Sequence, residues 1–187
     1  PEKFAKLLAT KVFTNGADAL FVAKKYADTF LEVMSGATNL TYSGLGWKTE
    51  ELESMSKVFP FCHGLRQLDL QGNEIVTLVP GYFASLAALK SLDLAENKIT
   101  ELAAGCFEGL VAVRALYLNG NQIEVLAPGC FSSMAALESL NLADNEVAEL
   151  QAGCFEGLVA VKELWLNGNP CKDCGWKWPP DQECTNI

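Results

Sequence analysis

From Leu65 onward the apolar positions of this chain return every 24 residues. One turn of the pattern reads Leu89-x-x-Leu92-x-Leu94-x-x-Asn97-x-Ile99-x-x-Leu102, followed by Phe107-x-x-Leu110. The frame starts again at Leu65, Val113, Leu137 and Val161. A fixed period of this length predicts stacked repeats, none of which can bury its apolar face alone. Alternation over Ser91–Leu94 predicts one short strand per repeat, paired in parallel with its copies. Leu68 and Leu70, Leu92 and Leu94, Leu116 and Leu118, Leu140 and Leu142, and Leu164 and Leu166 then point inward. Asn73, Asn97, Asn121, Asn145 and Asn169 take the turn after each strand, where a carboxamide satisfies backbone groups leaving the ladder. Phe83, Phe107, Phe131 and Phe155 form a second internal column. Gly81, Gly105, Gly129 and Gly153 precede those rings by two residues and allow backbone geometry closed to other residues, and Pro80 and Pro128 stiffen the return.

A longer period overlies the first. Gly72–Leu118 aligns with Gly120–Leu166 without gaps, so a two-repeat unit is duplicated. Upstream, Leu40-x-Tyr42-x-x-Leu45-x-Trp47 matches the strand and turn of the frame, but this repeat is 28 residues long, from Leu40 to Leu68. Thr49, Glu50 and Glu51 open a predicted helix through Leu52, Met55, Val58 and Phe59, with Thr49 as its cap. Before it, Phe4, Leu7, Leu8 and Val12 lie at helical spacing. Leu20, Ala23, Ala27, Phe30, Leu31 and Met34 give a second apolar stripe over 17–34. Two helices closing the open end of the stack are predicted, the alternative being a docking helix for a partner groove.

This frame resembles the leucine-rich repeat family over well over half the chain. The resemblance implies an α/β solenoid with short parallel strands on a concave face, to which the apolar stripes above add a helical N-terminal cap. The expected divisions are residues 1–38 for the cap, 39–169 for the repeats and 170–187 for a Cys/Trp-rich C-terminal cap. The 28-residue unit resembles the longer ribonuclease-inhibitor-like repeats, and the later 24-residue units resemble the extracellular typical class. Asn169-Pro170-Cys171-Lys172-Asp173-Cys174-Gly175-Trp176, with Cys184 beyond, resembles the start of the family's cysteine-flanked C-terminal cap. That likeness implies a disulfide from Cys171 or Cys174 to Cys184, leaving one thiol over. A zinc site on Cys171 and Cys174 would need a fourth ligand, and the only histidine, His63, lies at the far end of the repeats. Cys106, Cys130 and Cys154 recur at one frame position and are expected as buried free thiols.

The formal charge of −9 and pI near 4.6 argue against nucleic acid as a partner and toward a protein partner carrying basic groups. No apolar run approaches the ~20 residues of a membrane span. The chain starts at Pro1 rather than Met, and so reads as a processed product or a fragment. With the closing cysteines, this leans toward a secreted or organellar setting over the cytosol. One histidine, no phosphate loop and no metal motif predict neither enzyme activity nor a cofactor. Asn39-Leu40-Thr41 fits a glycosylation sequon, though a strand there is expected to be a poor acceptor.

The positions that the frame leaves free carry the functional expectation. The outward column reads Thr41, Asp69, Asp93, Tyr117, Asn141, Trp165. Asp69 and Asp93, adjacent in the stack, are the one carboxylate pair with conceivable chemistry, and a partner-facing surface is the expected role. With Glu96 they make an acidic half that passes into an aromatic half at Tyr117 and Trp165, with Asn141 between. Exposed aromatics among polar residues suit a protein interface. Asp69, Asp93, Glu96, Tyr117, Asn141 and Trp165 are thus the expected partner-binding residues of a non-enzymatic interaction module. The alternative is a structural subunit held in a larger assembly by its convex face and caps.

Overall fold

The computed structural model describes residues 16–171. Six short parallel strands form one sheet: β1 (Asn39–Thr41), β2 (Gln67–Asp69), β3 (Ser91–Asp93), β5 (Ala115–Tyr117), β7 (Ser139–Asn141) and β8 (Glu163–Trp165), in that order. A second sheet pairs β4 (Glu101–Leu102) with β6 (Val125–Leu126), also in parallel. The main register runs Leu40↔Leu68↔Leu92↔Leu116↔Leu140↔Leu164, as the repeat frame predicts. In β2, β3, β5, β7 and β8 the central leucine is buried and its neighbours face outward, the period-two pattern of a half-buried strand. The predicted inward leucines are buried from Leu68 to Leu164, and Leu166 is half-buried at the end of the stack.

The asparagines hold the turns as expected. Asn97 Nδ2 donates to Leu70 O at 3.0 Å and Leu94 O at 3.1 Å, and its Oδ1 accepts from Ile75 N–H at 3.1 Å. Asn121 and Asn145 repeat the same three bonds one and two units on. Each carboxamide thereby joins consecutive repeats and leaves few buried backbone groups unmet. The first repeat has Leu45 where the others have asparagine. Asn73 covers for it, accepting from Leu45 and Trp47 N–H and donating to Tyr42 O. Leu45, with no inward place left, is 57% exposed.

The phenylalanine column has one more member than the frame shows. Phe59, Phe83, Phe107, Phe131 and Phe155 stack with centroids 6.2, 6.5, 5.8 and 6.2 Å apart. Phe59 lies 24 residues before Phe83, whereas Leu40 lies 28 before Leu68. The four extra residues fall between strand and ring, where the first repeat carries α2 (Thr49–Ser56). A helix advances only ~1.5 Å per residue, so more chain is needed there to cover the same distance. The predicted helix through Phe59 stops at Ser56, and a 3₁₀ turn at Phe59–Phe61 follows with Pro60 inside it. Thr49 does not cap α2. Its Oγ1 accepts from Val76 and Thr77 N–H of the next repeat, and Lys48 N–H donates to the Glu51 carboxylate at 2.8 Å.

Of the two N-terminal helices, the one expected at Phe4–Val12 lies outside the described residues. The second is α1 (Gly16–Gly36). It meets the repeats through a narrow row: Phe30 sits edge-on to Phe61 at 6.0 Å, and Met34 packs against the core. Leu31, counted above in the apolar stripe, is 43% exposed, because the single 3₁₀ turn beneath is too small to cover a full helix face. Gly81, Gly105, Gly129 and Gly153 have φ between +74° and +94°, as expected.

Candidate partner-binding surface

Parallel register brings the outward column together. Thr41, Asp69, Asp93, Tyr117, Asn141 and Trp165 are consecutive cross-strand partners on one face. Strands lie ~4.8 Å apart, so Tyr117 and Trp165, two strands from each other, stand about 10 Å apart with Asn141 between them. All of these but the exposed Thr41 are half-buried, flanked by the column Asn39, Gln67, Ser91, Ala115, Ser139 and Glu163.

Three of the expected site residues also hold their own backbone. Oδ1 of Asp69, Asp93 and Asn141 accepts from the N–H two residues on, in Gln71, Ala95 and Ala143, at 2.9–3.0 Å. This is an Asx turn, which fixes the side chain while leaving its second polar atom outward. Tyr117 and Trp165 occupy the same position without that device, so their rings have no local backbone role. Glu96, the sixth expected residue, lies beyond β3 and accepts from Gln71 Nε2 at 3.2 Å. Burial pushes the Asp93 carboxyl above its usual range; Asp69 and Glu96 add to this, and the Ala95 N–H opposes it.

Two features of this face escaped the sequence reading. Glu96 and Asp144 are non-glycine residues with φ of +55° and +54°. The same frame position holds Gly72, Gly120 and Gly168, all with positive φ, so a gap-free alignment shows the exchange but not the backbone that makes it unusual. The second feature is a column one residue before the strands: Arg66, Lys90, Arg114, Glu138, Lys162. Its backbone is stacked in order, each N–H donating to the preceding residue's carbonyl at 2.7–2.8 Å. Arg114 Nη1 and Lys162 Nζ meet the two Glu138 oxygens at 3.0 and 2.7 Å. The hydrogen bond and charge of Lys162, and then Arg114, hold the Glu138 carboxyl below its usual range. A basic border therefore runs beside the acidic column of an otherwise acidic chain. The signal was available in sequence as a basic residue before three successive strands.

The remaining candidate chemistry is sparse. Among the described residues no three metal-binding side chains converge. Cys62, Cys106, Cys130 and Cys154 are buried free thiols. Burial raises the Cys106 thiol to about 12 and pushes Cys130 and Cys154 upward as well. Cys130 Sγ donates to Cys154 O at 3.5 Å across neighbouring repeats. Such thiols are core packing rather than nucleophiles. Of the expected C-terminal cysteine group, Cys171 is the one described. The other two members, Cys174 and Cys184, lie outside the described residues.

A family model described as leucine rich repeat matches residues 63–123 and 113–170. No curated protein matches the chain. Among solved structures, one titled as a TLR13–ssRNA13 complex is 31% identical with a TM-score of 0.61, over 62% of this chain and 16% of that one. Another, titled as the Toll–Spatzle complex of Drosophila, is 26% identical with a TM-score of 0.57, over 61% of this chain and 15% of that one. The chain thus spans about a sixth of the length of these structural neighbours.

Proposed function

The chain belongs to the leucine-rich repeat family, and we propose that it is a non-enzymatic module binding a protein partner on the concave strand face. The supporting observation is the placement of Tyr117 and Trp165 two strands apart, half-exposed, with neither ring in the buried core. Aromatic anchors of this kind dominate protein interfaces. Asp69, Asp93 and Glu96 supply an acidic patch beside them for basic groups of the partner, and the Arg66–Lys90–Arg114 border supplies the opposite sign along one rim. A partner matching both signs is favoured over a uniform polyanion, which Asp69 and Asp93 would repel. The two structural neighbours are titled as complexes, one with a nucleic acid and one with Spatzle. Nucleic acid is therefore one arm of the test. In this reading residues 1–38 cover the first repeat, 39–169 recognise the partner and 170–187 close the far end.

A second reading, a subunit of a larger assembly, draws on the exposed Leu31 and Val33 of α1 and on Val159, 77% exposed. Pull-down from native extract with the wild-type chain and with Tyr117→Ala plus Trp165→Ala distinguishes the two. Loss of the captured protein at an unchanged melting temperature supports the concave face. Undiminished capture by the double variant, or capture abolished by nuclease, defeats it.

A further inference from the structure

We propose that Asn39 is an acceptor for N-linked glycan. Asn39-Leu40-Thr41 is the only Asn-x-Ser/Thr triplet in the chain. A sequon within a strand is a poor acceptor when the strand lies between neighbours, and β1 does not. It is the end strand of the sheet, paired with β2 alone among the described residues. Asn39 and Thr41 are both exposed, and Leu40 between them turns toward the core. In extended backbone, residues two apart share a face, so the Asn39 carboxamide and the Thr41 hydroxyl stand on the same open side. The preceding helix α1 rests on the 3₁₀ turn at Phe59–Phe61 rather than on β1, and leaves the asparagine uncovered. An attached sugar would therefore displace no packed group among the described residues.

An independent observation concerns compartment. The closing cysteines Cys171, Cys174 and Cys184 resemble the disulfide-linked C-terminal cap of extracellular members of the family, and disulfides persist where the environment is oxidising, as in the secretory route that carries glycosyl donors. In the reaction, Asn39 Nδ2 attacks the anomeric carbon of a lipid-linked oligosaccharide diphosphate. A C–N bond forms, and the C–O bond to the diphosphate breaks. The lipid diphosphate departs with the electron pair while the amide gives up one proton. The product places a bulky polar group beside β1, the end strand among the described residues, which would discourage strand pairing with other chains. That group stands at the β1 end of the same strand face as Asp69 to Trp165, but the inference rests on the sequon and its exposure and does not depend on the partner-binding proposal.

The test is peptide mass spectrometry on the protein from its native cells, before and after peptide N-glycosidase in heavy-oxygen water. The expected result is an Asn39 peptide found at its bare position only after the enzyme, with asparagine converted to labelled aspartate. In parallel, the chain secreted from glycosylating eukaryotic cells should show one size step, absent from both Asn39→Gln and Thr41→Ala. Both positions are exposed, so neither change should prevent folding. An unmodified Asn39 in the native protein, or a size step that persists in both variants, overturns the proposal.

Discussion

Two columns run the length of this solenoid under the same register, and they differ in what they allow. Inside, Phe59, Phe83, Phe107, Phe131 and Phe155 are one residue type throughout. On the strand face, Thr41, Asp69, Asp93, Tyr117, Asn141 and Trp165 scarcely repeat. A ring in the inner column meets its own copies above and below, so the residue that fills one layer fills every layer. An outward side chain meets solvent or a partner, and the fold constrains it only through local bonds such as the Asx turns of Asp69, Asp93 and Asn141. Uniformity therefore marks what the fold uses, and variation marks what remains available for recognition.

The largest predicted effect follows from that contrast. Phe107→Ala removes a ring held between two others at 6.5 and 5.8 Å and should destabilise the chain by about 3–5 kcal/mol. Trp165→Ala should stay within about 1 kcal/mol, since it opens no internal cavity. Urea unfolding of the two variants measures the difference, and equal losses would erase the distinction between the columns. Next comes Gly109→Ala. A Cβ there would stand 2.5 Å from Ala84 O, with φ at +89°, so overpacking and backbone strain combine to about 3 kcal/mol. Gly105→Ala has open space around its Cβ and only the unfavourable φ; about 1 kcal/mol is expected. If both variants unfold together, close approach between repeats is not what selects Gly109.

The fold was legible because its signals are redundant: five copies of Leu-x-Leu-x-x-Asn specify one register, and any single copy could be blurred. The outward columns followed directly, since fixing Leu92 and Leu94 as inward fixes Asp93 as outward. What escaped was local conformation and contact rather than repeat pattern. Thr49 looked like a cap because it precedes two glutamates, but tertiary contact gives its hydroxyl to Val76 and Thr77. Leu31 shares the apolar stripe of α1, yet helical periodicity says nothing about the width of the surface beneath. The Asx turns of Asp69 and Asp93 and the left-handed backbone of Glu96 are backbone geometry, which a residue letter carries only weakly.

Glu96 sharpens the comparison from the outward side. It holds φ of +55° where Gly72 and Gly120 stand in neighbouring repeats, a conformation costing a non-glycine residue about 1 kcal/mol or more. Glu96→Gly should therefore raise the free energy of urea unfolding by about 1 kcal/mol while weakening a partner that reads the carboxylate. Stabilisation with unchanged affinity would remove Glu96 from the recognition surface.

The smallest effect concerns Asp93. Its pKa is raised in the folded state, chiefly by burial and further by Asp69 and Glu96, so the folded chain holds this proton more tightly than the unfolded one. Its contribution to stability is present when the group is protonated. It is lost as pH rises from the ordinary aspartate range through the raised value, leaving a small constant penalty at neutral pH. Asp93→Asn removes the charge and keeps the oxygen that accepts from Ala95 N–H, as Asn141 does for Ala143 at 3.0 Å. Since Asp93 is partly solvated, the gain at pH 7 should be below about 1 kcal/mol. It should vanish near pH 3, where the wild-type carboxyl is protonated too. Denaturation at both pH values reads the difference: a variant equally destabilised at each would show that Asp93 serves through its geometry alone. A stabilised variant that loses affinity for a basic partner would place this carboxylate on the recognition side of the contrast, kept against the interest of the fold.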